Sequence, residues 1–153
     1  MSQAPAIEKV IAALVARLEA AVPSLQPKTR FKRSEESLSL DELPARAGMR
    51  WFNLDVQGGQ DDSQEGNGVQ NAGVADRRAR FRIRLLYPLA RQERTLEDIA
   101  ASDAEWAMRA LARSASWAGT PIQRATCRWS VDRSRSDRLF VDLALEVQYR
   151  DQE

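Results

Sequence analysis

Residues Arg77–Tyr87, RRARFRIRLLY, decide the fold of this chain. Apolar side chains and arginines alternate along them with the period of two that places successive residues on opposite faces of a β-strand. Pro88 follows and ends the pattern. The stretch therefore predicts one strand of a half-buried sheet. Its apolar face comprises Ala79, Phe81, Ile83, Leu85 and Tyr87, and its charged face comprises Arg78, Arg80, Arg82 and Arg84.

Two more alternating stretches close the chain. Gln123–Val131 and Leu139–Tyr149 each carry apolar residues at every second position, and the polar segment Asp132–Asp137 separates them. This arrangement predicts an antiparallel hairpin. Cys127 falls on its apolar side, where we expect an unreactive core thiol. We also expect cross-strand ion pairs that join Arg124 and Arg128 to Asp142 and Glu146.

Two segments have the spacing of amphipathic helices. The first covers Ile7–Val22, with Pro5 before it and Pro23 after it. The second begins at Thr95, whose hydroxyl is placed to cap the first turn. Asp103 interrupts its apolar stripe, and so either marks the edge of the stripe or pairs with an arginine. The other residues of that stripe are Leu96, Ile99, Ala100, Trp106, Ala107, Ala110 and Leu111.

Between the first helix and Arg77 the pattern is mixed. A short extended piece at Thr29–Lys32 precedes a polar stretch at Ser34–Ala47. Met49–Val56 then reads as a strand with apolar groups on both faces, which predicts cover on both sides over part of its length. Met49 and Trp51 lie on one of these faces, and Phe52, Leu54 and Val56 lie on the other.

Runs of strands separated by helices predict one α+β domain over residues 1–153. The expected architecture is a mainly antiparallel sheet with two helices packed on one face and charge on the other. A chain of this length buries enough apolar surface to fold without disulfides or metals.

Residues 57–76, QGGQDDSQEGNGVQNAGVAD, depart from all of these patterns. They hold five of the seven glycines and few large apolar groups, so we expect a long flexible arm that becomes ordered against a partner. A tolerated insertion without a role is the alternative. If the segment is such an arm, deletion of 60–73 should leave the fold intact and impair the joining to its partner. The candidate contact residues in the arm are Gly58, Gly59, Asp61, Asp62, Gly66, Asn67 and Gly68.

The composition argues against most catalytic chemistry. The chain has no histidine and one cysteine, which removes Ser-His and Cys-His pairs and the usual zinc ligands. The glycines match no phosphate-binding loop, and the acidic residues Asp61, Asp62 and Glu65 lack calcium-loop spacing. We therefore expect no enzyme activity, no cofactor and no metal. No apolar stretch has the length of a membrane span, and the first residues lack a basic leader, so we expect no membrane partner and a cytoplasmic product.

Arginine dominates the basic residues. Lys9, Lys28 and Lys32 are the only lysines among 23 basic residues, which leaves 20 arginines. Codon bias is one explanation, and selection for bidentate pairing with carboxylates is a compatible second one. The arginines on the charged face of Arg77–Tyr87 would either bind phosphates or acidic residues of another chain, or form ion pairs with carboxylates on neighbouring strands. Because its aromatic residues Phe81 and Tyr87 point to the other face, we expect no specific nucleic-acid binding.

The order of elements resembles the tail-terminator (neck) proteins of tailed bacteriophages and related phage-derived particles. The resemblance covers most of the chain and lies in architecture, not in a short motif; Ser34–Ala47 has no counterpart. The stretches that carry it are the helix IEKVIAALVARLEAAV, the strand RARFRIRLLYP after a glycine-rich loop, the helix TLEDIAASDAEWAMRALAR and the closing strand LFVDLALEVQYRD.

This resemblance implies a structural subunit that assembles with copies of itself into a ring, commonly a hexamer. Such a ring caps the tail-tube protein and joins it to the head-side connector or stopper protein. The protein would then reside in the virion after assembly in the host cytoplasm. Two alternatives stay open: a tail-tube or head-completion protein of the same particle, and an unrelated arginine-rich binding domain.

Overall fold

The structure is a computed structural model that describes residues 4–25, 30–34, 50–62, 74–88, 93–112, 117–134 and 138–152. Within these ranges the chain forms two helices and five strands, in the α+β arrangement that the sequence predicts. In chain order they are α1 (Ala6–Ala20), β1 (Phe31–Arg33), β2 (Arg50–Asp61), β3 (Val74–Pro88), α2 (Glu93–Ala112), β4 (Ile122–Asp132) and β5 (Arg138–Gln152).

The strands form one sheet in the order β1-β2-β3-β5-β4. The short β1 pairs with the start of β2 in parallel, and every other pairing is antiparallel. The predicted strand Arg77–Tyr87 is the core of β3, which lies at the centre of the sheet. It pairs with β5 along its whole length, from Val74 to Pro88. The predicted closing hairpin is also present, as β4 and β5.

Both helices pack on the apolar face of the sheet. From α1, the side chains of Val10, Leu14 and Leu18 are completely buried, and from α2 those of Ala107 and Leu111 are completely buried. They pack against the alternate residues of β3 and β5 that the sequence assigned to the core. Complete burial of one large aliphatic or aromatic side chain stabilises the fold by about 1.5–3 kcal/mol. The central strands contribute the largest block of these side chains: Phe81, Ile83, Leu85, Val141, Leu143, Leu145 and Val147.

Asp103 lies inside this core and not at its edge, since its side chain is completely buried. Its Oδ2 accepts a hydrogen bond of 2.7 Å from the hydroxyl of Tyr87 on β3. The bond joins α2 to the central strand. It also explains why a carboxylate occupies a position within the helix's apolar stripe.

The helix ends differ from the predicted ones. α2 begins at Glu93, so Thr95 lies inside the first turn and does not start the helix; Glu93 and Arg94 are both good helix formers. α1 ends at Ala20, because Ala21 is already extended ahead of Pro23. Val22, predicted to belong to the buried stripe, is 50% exposed.

The strands that border the predicted arm are longer than the sequence indicated. Val74–Asp76 belongs to β3, where it pairs with Arg150–Gln152 of β5. Gln57–Asp61 belongs to β2, where Gly58–Asp61 pair with Arg77–Arg80 of β3. A register shift between Val56 and Gly58 makes this possible, with Gly58 at φ +154°, where other residues are disfavoured. Val56 precedes the shift and lies opposite Phe81, in step with Phe52 and Leu54, yet its side chain is 56% exposed, so the cover of this face ends before Val56. Gly66, Asn67 and Gly68 lie outside the described residues.

The end of β5 is hydrogen-bonded to the start of α1. Pro5 offers no capping side chain, and Asp151 of β5 fills that role: its Oδ1 accepts a 3.0 Å hydrogen bond from the backbone N–H of Ala6. Its Oδ2 lies 3.3 Å from Nε of Arg77. A carboxylate at the positive end of the helix dipole is stabilising.

Replacing Tyr87 by Phe should lower the free energy of unfolding by about 1–3 kcal/mol, because the buried carboxylate of Asp103 loses a donor. Urea denaturation followed by circular dichroism measures the loss. Tyr149→Phe is the matched control, since its hydroxyl makes no hydrogen bond to the described residues. Equal losses in the two variants would contradict a stabilising Tyr87–Asp103 bond.

Candidate interaction surface on the sheet

The face of the sheet that turns away from the helices, here called the outer face, carries the predicted arginines. Arg78, Arg80, Arg82 and Arg84 all project from it, because they alternate with the buried residues of β3. As β3 has paired neighbours on both sides, each arginine faces a residue of β2 and one of β5. Their environments differ along the strand.

Arg84 is held most firmly. Its Nε and Nη2 donate to the two carboxylate oxygens of Asp142 at 2.7 and 3.1 Å, and Nη2 also lies 3.4 Å from Asp132. The guanidinium carbon stacks 4.5 Å above the ring of Phe140. A bidentate, half-buried pair of this kind is stronger than an ordinary surface ion pair.

Asp132 is held in its charged form. Hydrogen bonds from the hydroxyl and backbone N–H of Ser134, and then the charge of Arg84, lower the pKa of its carboxyl below the ordinary value. The turn after β4 thus keeps a second anion beside Arg84.

Arg78 and Arg82 make more exposed contacts. Arg78 lies 3.2 Å from Asp62 and 3.4 Å from Glu146, and Arg82 lies 3.1 Å from Asp55. Pairs with this much exposure contribute about 0–1 kcal/mol each. Three of the four arginines, Arg78, Arg82 and Arg84, therefore form ion pairs with carboxylates of neighbouring segments, which is the second of the two interpretations offered by the sequence.

The predicted ion pairs between β4 and β5 are wrong. Arg124 lies opposite Gln148, and Arg128 lies opposite Ala144, so both are offset by two residues from the expected carboxylates. Asp142 and Glu146 instead contact Arg84 and Arg78 of β3. Among the described residues, Arg80, Arg124 and Arg128 have no ion-pair partner.

The candidate residues from the arm divide into two groups. Asp62 pairs with Arg78, and Asp61 lies 3.8 Å from Arg77, so both belong to the charge pattern of the sheet. Gly58 and Gly59 lie in β2 and bring no side chain; a Cβ on Gly58 would stand 3.2 Å from Nη2 of Arg80. Gly58 therefore leaves room for that guanidinium.

A shallow groove crosses the outer face at Ala144, the smallest side chain that β5 places on this face. Ala144 of β5 lies between Arg82 of β3 and Arg128 of β4. The groove has a volume of about 580 Å³. Its polar walls are Gln57, Arg80, Arg82, Thr126, Arg128 and Glu146.

One feature of the outer face was not predicted. Leu86 and Phe140 are buried there and pack with Trp51 into a small apolar cluster, separate from the main core. The signal in the sequence was the apolar pair Leu85–Leu86, which breaks the alternation with arginine, together with Phe140 out of phase with the buried residues of β5. The cluster agrees with the expectation that this part of β2 is covered on both faces.

The one cysteine of the chain is held in its protonated form. Burial raises the pKa of the Cys127 thiol to about 12, which leaves it protonated near neutrality and fits the predicted unreactive thiol. Within the described ranges no group of three potential metal ligands comes together, and no helix is long and apolar enough to span a bilayer.

Comparison by sequence gives no match to a protein-family model or to a curated protein. Comparison by fold gives a match. The chain superposes on a chain of a solved structure described as the virion of a native gene transfer agent particle, with a TM-score of 0.51. The match covers 95% of this chain and 92% of the other, at 16% sequence identity. The two chains therefore share a fold over nearly their whole lengths.

Arg84→Ala should destabilise the protein by about 1.5–3 kcal/mol, the range for hydrogen bonds to charged groups. Arg82→Ala, on the same strand, is the matched control and should cost about 0.2–1 kcal/mol, because its pair is exposed. Urea denaturation at low and high salt measures both, and only the Arg82 loss should shrink with salt. Equal losses would contradict the different strengths assigned to the two pairs.

Proposed function

We propose that this protein is a structural subunit of a phage-like particle. The observation that carries the proposal is the fold match to a chain of a gene transfer agent virion, since it spans almost all of both chains. A match of this extent involves the whole domain and not a shared supersecondary motif. The resemblance of the element order to tail-terminator proteins points to the same kind of particle.

Within that particle we propose the role of the tail terminator. Copies of the chain form a closed ring, expected to be a hexamer, that ends the tail tube and joins it to the head-side connector or stopper protein. The location is the virion, after assembly in the host cytoplasm. No catalysis is needed for this role, because stopping a polymer and joining two rings depend on shape and complementary surfaces.

The outer face supports an assembly role. A ring of identical subunits is built from head-to-tail contacts, in which two different patches of each copy meet and rotation closes the ring. Complementary charge selects the correct partner in such contacts. The outer face offers rows of both signs, with Arg78, Arg82 and Arg84 already set in fixed positions by carboxylates.

Mass photometry over a concentration series, with negative-stain microscopy of the same sample, tests the proposed ring. We expect closed rings of one copy number, either from the purified protein or after addition of tail tubes. Open tubes would identify the chain as a tube subunit instead. A monomer that ignores tail tubes at every concentration would contradict the particle role.

The segment between β2 and β3 can be tested separately. Because Gln60, Asp61 and Asp62 belong to the paired strands, the change should be confined to residues 64–73, replaced by a short Gly-Ser linker. We expect an unchanged unfolding transition and fewer joined particles in micrographs of lysates. Loss of the fold, or full joining by the variant, would contradict a role for this segment as a contact arm.

A further inference from the structure

The ion pairs of the outer face leave a specific excess of positive charge. Arg78, Arg82 and Arg84 each contact a carboxylate, and Arg150 lies 3.4 Å from Asp76. Arg80, Arg124 and Arg128 have exposed side chains and no ion-pair partner among the described residues. Arg80 and Arg128 line the groove over Ala144, and Arg124 lies beyond it on β4, opposite Gln148. The groove and these three arginines together are here called the arginine groove.

The strand pairing fixes the layout of the arginine groove. Arg128 lies beside Ala144, Arg80 lies beside Glu146, and Arg124 lies beside Gln148, all three contacts being to β5. Arg124 and Arg128 are four residues apart on one strand, a separation of about 13 Å at 3.3–3.4 Å per residue. Arg80 lies two strands away from them, about 9–10 Å at the usual spacing between strands.

Small side chains leave the space between Arg80 and Arg128 open. Ala144 and Thr126 line the groove where larger residues would fill it, and Gly58 leaves the guanidinium of Arg80 unobstructed. The open volume of about 580 Å³ is enough for several residues of an extended peptide. The floor is the backbone and small side chains of a rigid sheet, so little entropy is lost when a partner binds.

We propose that the arginine groove binds an extended acidic segment of a partner protein. In such a segment, carboxylates on one face recur every 6.6–6.8 Å or so, and two of them four residues apart match the separation of Arg124 and Arg128. Each guanidinium can donate two parallel hydrogen bonds to one carboxylate, which selects the position of the acidic residues in the segment as well as their charge. The inference deepens the proposed particle role and rests on it for the setting, since it names the chemistry of the surface that this subunit contacts.

A protein partner fits the groove better than a nucleic acid does. Glu146 forms part of the wall and repels any anion placed beside it, so the groove disfavours a continuous row of phosphates more than carboxylates that can be spaced to avoid Glu146. The groove also lacks an aromatic side chain on which a base could stack, among the residues that line it from the outer face. A groove lined by both arginines and a glutamate suits a polypeptide, because its charged side chains are separated by uncharged ones.

Fluorescence anisotropy with a labelled peptide of five Glu-Ser repeats tests the groove directly. The triple variant Arg80→Gln, Arg124→Gln, Arg128→Gln should bind at least tenfold more weakly than the unaltered protein. Its charge-matched control removes three exposed cations elsewhere, as Lys9→Gln, Arg109→Gln, Arg133→Gln, and should lose less than twofold. Equal losses would show a general charge effect and overturn the proposal.

A second variant keeps all charges and closes the groove. Ala144→Tyr places a ring, well tolerated on an exposed strand position, between Arg82 and Arg128, and should weaken peptide binding at least fivefold. Circular dichroism confirms that each variant is folded. Unchanged binding by Ala144→Tyr, tighter binding of a ten-nucleotide single strand than of the peptide, or no binding of the peptide by the unaltered protein would each overturn the groove.

Purified particles separate this inference from the proposed function. If the unaltered protein is absent from particles, the particle role fails, and the peptide measurement still decides the groove. If the unaltered protein and the triple variant enter particles equally well while the peptide does not bind, the particle role stands and the groove fails. We expect the triple variant to be depleted at least fivefold and the charge-matched control to enter normally.

Discussion

The pairing of β3 on both sides is the constraint on which the rest of the structure depends. Successive side chains of a strand point to opposite faces of the sheet. Each residue of β3 therefore faces either the helix-covered core or the outer face. From Arg78 to Leu85 the sequence alternates between arginine and apolar residues, and a slip of one residue would bury a row of arginines. Phe81, Ile83 and Leu85 are thereby fixed against α1 and α2. Arg78, Arg82 and Arg84 are placed among carboxylates on both sides of β3, and Arg84 is held most firmly of the three.

This central constraint sets the order of the charged side chains on the outer face. Arg84 is held by two carboxylates and a ring, and the contacts of Arg82 and Arg78 are more exposed. Exposed pairs add little stability, so their value lies in fixing where each charge stands. The cations without partners then occupy defined positions between paired ones. An interface requires that kind of fixed pattern, because complementarity depends on position as well as on sign.

Much of the fold was predictable, and the failures share one physical origin. The helices, the strand at Arg77–Tyr87, the closing hairpin and the faces of each strand follow from periodicity, which is a local property. The pairs of Arg124 and Arg128 were wrong because register across a hairpin is set by turn geometry and by a shift near Ile122, neither of which the alternation reveals. Gln57–Asp61 was assigned to a loop because glycine disfavours strands on its own; pairing with β3 and the shift at Gly58 overrode that preference. Asp103 was seen as an exception in its stripe, but its partner Tyr87 lies on a strand that no helical pattern could indicate.

The low identity of the fold match also bears on where specificity lies. Two chains that share a fold at 16% identity must share the pattern of apolar positions, while most individual residues differ. The pattern secures the sheet and its two helices, and it leaves the outer face free to vary. Fold alone therefore places the chain in a class of architectures and does not choose its partner. That choice depends on residues that the core does not need. Arg80, Arg124 and Arg128 are exposed on the described part of the outer face and belong neither to the core nor to its ion pairs, and we propose that they contribute to that choice.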